Sequence, residues 1–281
     1  MKKLIQTLVL QIAVMSVAHV ASAQLTSEAV ISGRYTDQIT SIASNSTCTS
    51  YNWKNRGRAP AGYIKGMALS FARSACRTRL SPVPALARIM AQANTQNAKK
   101  DAIAHYQSTF AMRGMSVSTS GEATLRALYT LGIGLGMRES SGTYCEGWDK
   151  SAGSNRTSAE AESGLFQTSY DSMGVSNELK RLYEEYQGTT GRCMLNVFKQ
   201  GASCKAQSVL GKGAGATYQA FNKACPAFAA EYAMTMLRLS RTHYGPINRL
   251  EAEVVPACNT MLKSVQALVD SNAEAVCNEI Y

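Results

Sequence analysis

Apolar positions along this chain recur at helical rather than strand spacing. Strict apolar/polar alternation is scarce, while Ala, Leu, Met, Arg and Gln fill several long windows, so the chain reads as mainly α-helical. Residues 61 to 80, "AGYIKGMALSFARSACRTRL", bear Met67, Leu69, Phe71 and Ala75 on a predicted helix that Pro82 and Pro84 stop. A second helix is expected from about Pro84 to Phe110. A third lies in "SVSTSGEATLRALYTLGIGLGMRESSG": Ser118 or Ser120 serves as N-cap, Glu122 sits in the first turn, Leu125, Leu128, Leu131 and Leu135 form the buried stripe, and Gly142 ends it.

From Ser140 to Ser163 the chain turns polar and rich in Gly, Ser and Asn, which marks a loop. Further helices are expected at 175 to 187, 217 to 242 and 256 to 272, with Pro226 a start or a break. Gly132, Gly134 and Gly136 suit close helix packing, and no Lys-Ser/Thr follows them as in a phosphate loop. Met112, Met115, Met234 and Met236 are expected in helix cores. No nucleotide, other cofactor or required metal is expected.

The first residues change the picture. Lys2 and Lys3, an apolar run from Leu4 to about Ala18, and Ala21-Ser22-Ala23 together read as a cleaved export signal over residues 1–23. The run is shorter than the roughly 20 residues of a membrane span, so no stable membrane insertion is expected and the protein is placed in the periplasm or outside the cell. Eight cysteines follow, Cys48, Cys76, Cys145, Cys193, Cys204, Cys225, Cys258 and Cys277. An even number in an exported chain reads as disulfides, with Cys193–Cys204 and Cys258–Cys277 as short-range candidates among the pairings. The absence of CxxC argues against a zinc ribbon or a dithiol redox motif.

Charge narrows the partners. A formal net charge of +10 favours an anionic polymer. In an exported chain without an aromatic-plus-basic nucleic-acid signature, that polymer is cell-wall glycan rather than nucleic acid.

The chemistry centres on "GMRESSGTYCEGWDK", where Glu139 stands in the last turn of the third helix. The negative end of the helix dipole and burial against Leu135 would both keep its carboxyl protonated, as a general acid for a glycosidic oxygen requires. The plainer alternative is a surface ion pair with Arg138. Downstream stands "SGLFQTS" at 163 to 169, and "RESSG … GLFQ" resembles the Glu-Ser and Gly-Leu-Met-Gln signature of the lysozyme-like superfamily, which includes soluble lytic transglycosylases and goose-type lysozymes.

The resemblance covers roughly Ser120 to Arg249. It implies a lysozyme-like helical catalytic domain at 117–281, disulfide-stapled and preceded by a helical N-terminal arm at 24–116. It implies cleavage of the MurNAc-GlcNAc β-1,4 bond of peptidoglycan glycan strands. Glu139 matches the catalytic acid, Ser140 the serine that follows it and Gln167 a glutamine of the glycan groove; Tyr244, in "RTHYGPINR", matches an aromatic position lining the same cleft. Phe166 departs from the usual Met, and the loop carries Cys145.

A hydrolase needs a second carboxylate, for which Asp149 and Glu162 are the candidates, whereas a transglycosylase manages with one. Two other classes stay open. One is a Cys-His hydrolase using His243 and a free thiol; the other is a non-catalytic wall-binding or assembly protein that keeps the groove. The N-terminal arm is a candidate for docking a secretion-machinery or envelope protein.

Overall fold

The computed structural model describes residues 32–149, 155–188, 192–204 and 208–281; the expected export signal at 1–23, with residues 24–31 of the expected arm, lies outside them. The described residues form fourteen α-helices, two 3-10 helices (Asp171–Val175 and Arg241–His243) and one two-stranded antiparallel hairpin, Asn52–Trp53 with Gly57–Arg58. Among the described residues no helix is long and apolar enough to cross a membrane.

The Ala61–Arg77 helix is the axis of the fold. Fifteen of its residues are buried, so it has no solvent face. It packs against Arg34–Ser44, Glu122–Ser140, Pro226–Leu239 and Pro256–Ser271, with Leu195–Phe198 and Ala273–Ile280 closing the remaining sides. Residues before and after position 117 thereby share a single apolar core, which holds Met67, Phe71, Leu128, Leu135, Phe228 and Leu262 together.

Close approach explains two of the three glycines in the Glu122–Ser140 helix. A Cβ at Gly134 would lie 2.2 Å from the Glu253 carbonyl oxygen, and one at Gly136 would lie 2.3 Å from the Tyr63 hydroxyl. Gly132 differs, because it faces only the flexible end of the Met234 side chain, which can shift. The Tyr63 hydroxyl donates to the Ile133 carbonyl at 2.7 Å, so the small residues bring two helices into direct polar contact.

Charges buried in this core form ion pairs at two places, whereas the buried Arg73 is held by the Ile280 and Arg192 carbonyls and the Tyr186 hydroxyl. Glu231, fully buried, sits 3.1 Å from Arg77, which also binds Glu185 at 2.8 Å. Ser74 and Tyr186 complete the shell of Glu231. A second pair, Arg238 with Asp101 at 2.9 Å, explains why the expected helix from Pro84 to Phe110 is broken. Arg238 also takes the carbonyls of Met90, Gln92 and Ala93, and Asp101 caps Ala102–His105 by accepting from the Ile103 amide. The segment therefore forms Ala85–Ala91, a polar strap, Ala102–His105 and Gln107–Met112.

Other expectations are met with small shifts. The 175 to 187 helix is Asn177–Gln187 under a Ser176 cap, and 256 to 272 is Pro256–Ser271. The 217 to 242 segment is two helices, Ala214–Ala224 and Pro226–Leu239, because Pro226 has no amide to continue the first. The third helix starts after Gly121 without a side-chain cap; the Ser120 hydroxyl accepts from the Ala93 amide instead. Met234 and Met236 are core residues and Met115 is buried in a loop, but Met112 is 78% exposed at the end of a short helix.

All eight cysteines are bridged, as Cys48–Cys258, Cys76–Cys277, Cys145–Cys204 and Cys193–Cys225, which overturns both short-range candidates. Cys258 lies in the first turn of Pro256–Ser271 and Cys277 on the following helix. A rise of about 1.5 Å per residue puts roughly 20 Å of helix between Cys258 and the end of its helix at Ser271, before the chain reaches the helix of Cys277. Each meets a cysteine from the opposite end of the chain. Four bridges place folding in an oxidising, extracytoplasmic compartment.

Candidate active site

Glu139 is set by how its helix ends. Ser141 takes the left-handed conformation at φ 55°, followed by Gly142 at φ 74°, and their amides bond to the carbonyls of Met137 and Gly136 at 3.1 Å each. Arg56 of the hairpin donates to the Arg138 carbonyl at 2.6 Å, adding a cation at the negative end of the helix. The Ser140 hydroxyl donates to the Leu165 carbonyl at 2.8 Å, binding this helix end to the 163–169 segment. Ser140 is thus buried beneath the cleft as a tie, not on its lining.

The 163–169 segment is a tight reversal. Ser163 and Thr168 pair as an isolated bridge, Gly164 has φ 76° and Gln167 φ 45°. Asn222 holds the turn from below, donating to the Ser163 carbonyl at 2.7 Å and to the Thr168 hydroxyl at 3.0 Å. A left-handed glutamine costs about 1 kcal/mol or more and persists where the surroundings fix it. Its side-chain amide reaches the carbonyls of Gly164 and Gly147, at 2.9 and 3.3 Å, while the Gly164 amide donates to the Glu146 carbonyl at 2.9 Å. The loop after Glu139 is fastened to the reversal in this way, and to the 199–204 region by Cys145–Cys204.

Between these pieces opens a cleft of about 280 Å³ lined by Glu139, Glu146, Gly147, Trp148, Asp149, Glu162 and Gln167. Roomier hollows of about 490 and 520 Å³ lie beside Val83–Gln92 and between Tyr170 and Gln187. The carboxyls whose titration is raised, Glu139, Glu146 and Glu162, gather at the smaller one, which makes it the candidate site. It continues past Glu162 into a hollow of about 400 Å³ lined by Arg156, Ser169, Asp171 and His243, among others.

Burial, reinforced by the negative charge of Glu162, pushes the Glu139 carboxyl up to about 8 against the opposing pull of Arg56, Arg249 and Arg138. The ion-pair alternative fails on geometry, because Arg138 turns away to Glu251 at 3.2 Å and to the Lys54 carbonyl at 3.4 Å. Arg249 binds the same Glu251 at 2.9 Å; that bond, with help from Arg138, holds the Glu251 carboxyl down at about 2. Glu162 is raised by burial, with Arg156 opposing and Asp149 adding to it, and Glu146 is raised by burial alone.

His243 stands beside Glu162, with Nε2 3.8 Å from its carboxyl and 3.3 Å from the Gln167 carbonyl. A carbonyl only accepts, so that contact places the proton on Nε2. Burial lowers its pKa and the Gln167 carbonyl partly opposes this. Tyr244 lies under the cleft with its ring edge-on to His243 at 4.8 Å. Burial, then the charge of Glu139, lifts its phenol well above the ordinary range.

The structure therefore brings Glu139, Glu162, Asp149 and Gln167 to one opening, and puts Ser140 and Tyr244 behind it. Sequence reasoning did not pick out Glu146, Trp148 or Arg56. A tryptophan in an otherwise Gly/Ser/Asn-rich loop was the available signal for Trp148, but Arg56 reaches the site from a hairpin far away in the chain. Since every cysteine is bridged, the Cys-His alternative has no nucleophile. A carboxyl protonated at neutral pH beside carboxyls in wetter surroundings is equipped for acid and base roles in one cleft. Comparison with protein-family models, with curated proteins and with solved structures found no match.

Proposed function

We propose that this exported protein is a peptidoglycan-cleaving glycosidase, a lytic transglycosylase or lysozyme-type muramidase acting on the MurNAc-GlcNAc β-1,4 bond in the periplasm or outside the cell. The observation that carries the reading is Glu139: a carboxyl held up to about 8, open to a cleft and ion-paired with no cation among the described residues. The "RESSG … GLFQ" resemblance to the lysozyme-like superfamily supports it, and so does the hydrogen bond by which Ser140 of the first half grips Leu165 of the second.

In this mechanism Glu139 gives its proton to the glycosidic oxygen as the bond to the anomeric carbon breaks, and the bonding pair leaves with that oxygen. The positive charge developing on the sugar is met by the negative wall of Glu162 and Asp149. Completion takes one of two routes. Either Glu162 removes a proton from an attacking water, with His243 beside it, or a hydroxyl of the same sugar attacks the anomeric carbon and returns its proton to the ionised Glu139.

The test is mass spectrometry of fragments released from purified peptidoglycan by the oxidised protein, alongside Glu139→Gln. Anhydro-muramyl products lost in the variant identify a transglycosylase, and reducing-end muramic acid identifies a hydrolase. No release by a folded wild-type protein refutes the glycosidase reading and favours a wall-binding or assembly protein.

A further inference from the structure

A groove of about 520 Å³ lies outside the cleft, between residues 170–174 and the Asn177–Gln187 helix. Asn177, Lys180, Glu184 and Gln187 recur at helical spacing along one wall, and Tyr170 and Asp171 line the other. The floor is stiff. The Tyr183 ring packs at 5.5, 5.3 and 5.7 Å against Tyr218, Phe221 and Phe228, and Tyr170 stands edge-on to Tyr218 at 6.2 Å.

The fold makes no use of the charges that line this groove. Among the described residues the side chains of Asp171, Lys180 and Glu184 form no hydrogen bond or ion pair, and the Tyr170 hydroxyl forms none either. Lys180 and Glu184 stand at the i, i+4 spacing at which opposite charges on a helix meet, yet they stay apart, whereas Glu178 and Arg181 of the same helix pair at 2.6 Å.

Size and charge together select the occupant. At about 1.5 Å per residue the helix wall runs roughly 15 Å from Asn177 to Gln187. An extended peptide advances about 3.3 Å per residue, so about four or five residues fill that length. A neutral sugar would use none of the three charges, and a polyanion would meet two carboxylates. A short peptide carrying both a free carboxylate and a free ammonium uses all of them: Lys180 takes the carboxylate, and Asp171 and Glu184 take the ammonium. The groove also adjoins the cleft, because Asp171 is shared with the hollow of about 400 Å³ that opens past Glu162.

We propose that this groove binds the stem peptide of peptidoglycan, the amine- and carboxylate-bearing branch on the muramic acid, while the glycan itself lies at Glu139. This rests on the glycosidase reading and adds to it a preference for peptide-bearing strands over bare glycan. Asp171, Lys180 and Glu184 stand apart from Glu139 and Glu162, so holding the branch leaves the acid and base free for the glycosidic bond. The aromatic floor is packed before any ligand arrives, so little ordering opposes binding.

Titration calorimetry of the full oxidised protein with the tetrapeptide alanyl-γ-glutamyl-diaminopimelyl-alanine, freed from peptidoglycan by an amidase, tests the groove. Saturable binding is expected, weaker as salt rises and unchanged in Glu139→Gln. Gly174 lines the groove where a Cβ would meet nothing within 4 Å, so Gly174→Tyr puts a ring there without disturbing the core and should weaken binding at least about tenfold. Lys180→Glu should weaken it several-fold. No saturable binding by the wild type overturns the proposal, and so does peptide binding that both variants leave intact. A groove that holds sugar instead, seen as an N-acetylglucosamine hexamer losing affinity in Gly174→Tyr while the peptide does not, overturns it as well. Fragment release from intact peptidoglycan and from amidase-stripped glycan keeps the two readings apart. Peptide binding without release from either polymer sinks the glycosidase reading alone, and release from both without peptide binding sinks the groove assignment alone.

Discussion

Replacing Glu139 by glutamine should make the fold less sensitive to alkaline pH. The carboxyl titrates near 4.5 in an unfolded chain and at about 8 in the cleft. Below about 4.5 it is protonated in both states and contributes nothing to pH dependence. Between the two values the folded state binds more protons than the unfolded one, so stability falls as pH rises, and above about 8 the loss is complete. One pKa unit corresponds to 1.36 kcal/mol, so the separation sets a ceiling of about 5 kcal/mol. The cleft is open and water entering it relieves part of the strain, so about 2–3 kcal/mol is the expected measured loss. Glutamine keeps the shape and cannot ionise. The assay is urea unfolding of both proteins, disulfides intact, at pH 5 and pH 9. The wild type should lose about 2–3 kcal/mol more than Glu139→Gln between those conditions. Parallel pH dependence within error would mean that Glu139 is solvated and ordinary, and the argument for a protonated acid at neutral pH would fall with it.

The same protonation predicts that the turnover of wall fragments falls about tenfold per pH unit above pH 8, since only the acid form donates; a rate profile flat from pH 7 to pH 10 would contradict it. Ser140→Ala leaves the Leu165 carbonyl unpaired in the interior, and should cost about 1–2 kcal/mol in urea unfolding while lowering kcat more than it raises KM. Gly134→Ala drives a Cβ against the Glu253 carbonyl and should lower stability by about 1–3 kcal/mol, seen as a drop in Tm. Removing Cys145 and Cys204 together, as serines, frees the loop that carries Glu146 and Trp148. By loop entropy it costs up to about 4 kcal/mol, and fragment release should fall even at temperatures where circular dichroism shows the fold intact.

How far the fold was legible varies from element to element, for physical reasons. Local signals sufficed where they acted within one segment. The Glu122–Ser140 helix follows from its leucine spacing and its glycine stop, and the split at Cys225 from a proline that has no amide. Where a distant residue intervened they failed. Nothing within residues 84 to 110 announces that Arg238 will take three of its carbonyls and break the helix. Cysteine spacing made neighbours attractive partners, whereas three-dimensional packing paired Cys48 with Cys258 and Cys76 with Cys277.

The candidate site divides in the same way. By itself the sequence determined that the chain is helical and disulfide-bonded, and that Glu139 stands in the last turn of a core helix, because periodicity, caps and cysteine parity are properties of short stretches of chain. Only the tertiary structure decided that Arg138 turns away from Glu139, that Glu162 stands close enough to raise it, that Ser140 and Tyr244 lie behind the cleft, and that Glu146 and Trp148 line it. A pKa, an ion pair and a cleft depend on what is excluded from or brought into a few ångströms around a group, and that neighbourhood is assembled from segments far apart in the chain.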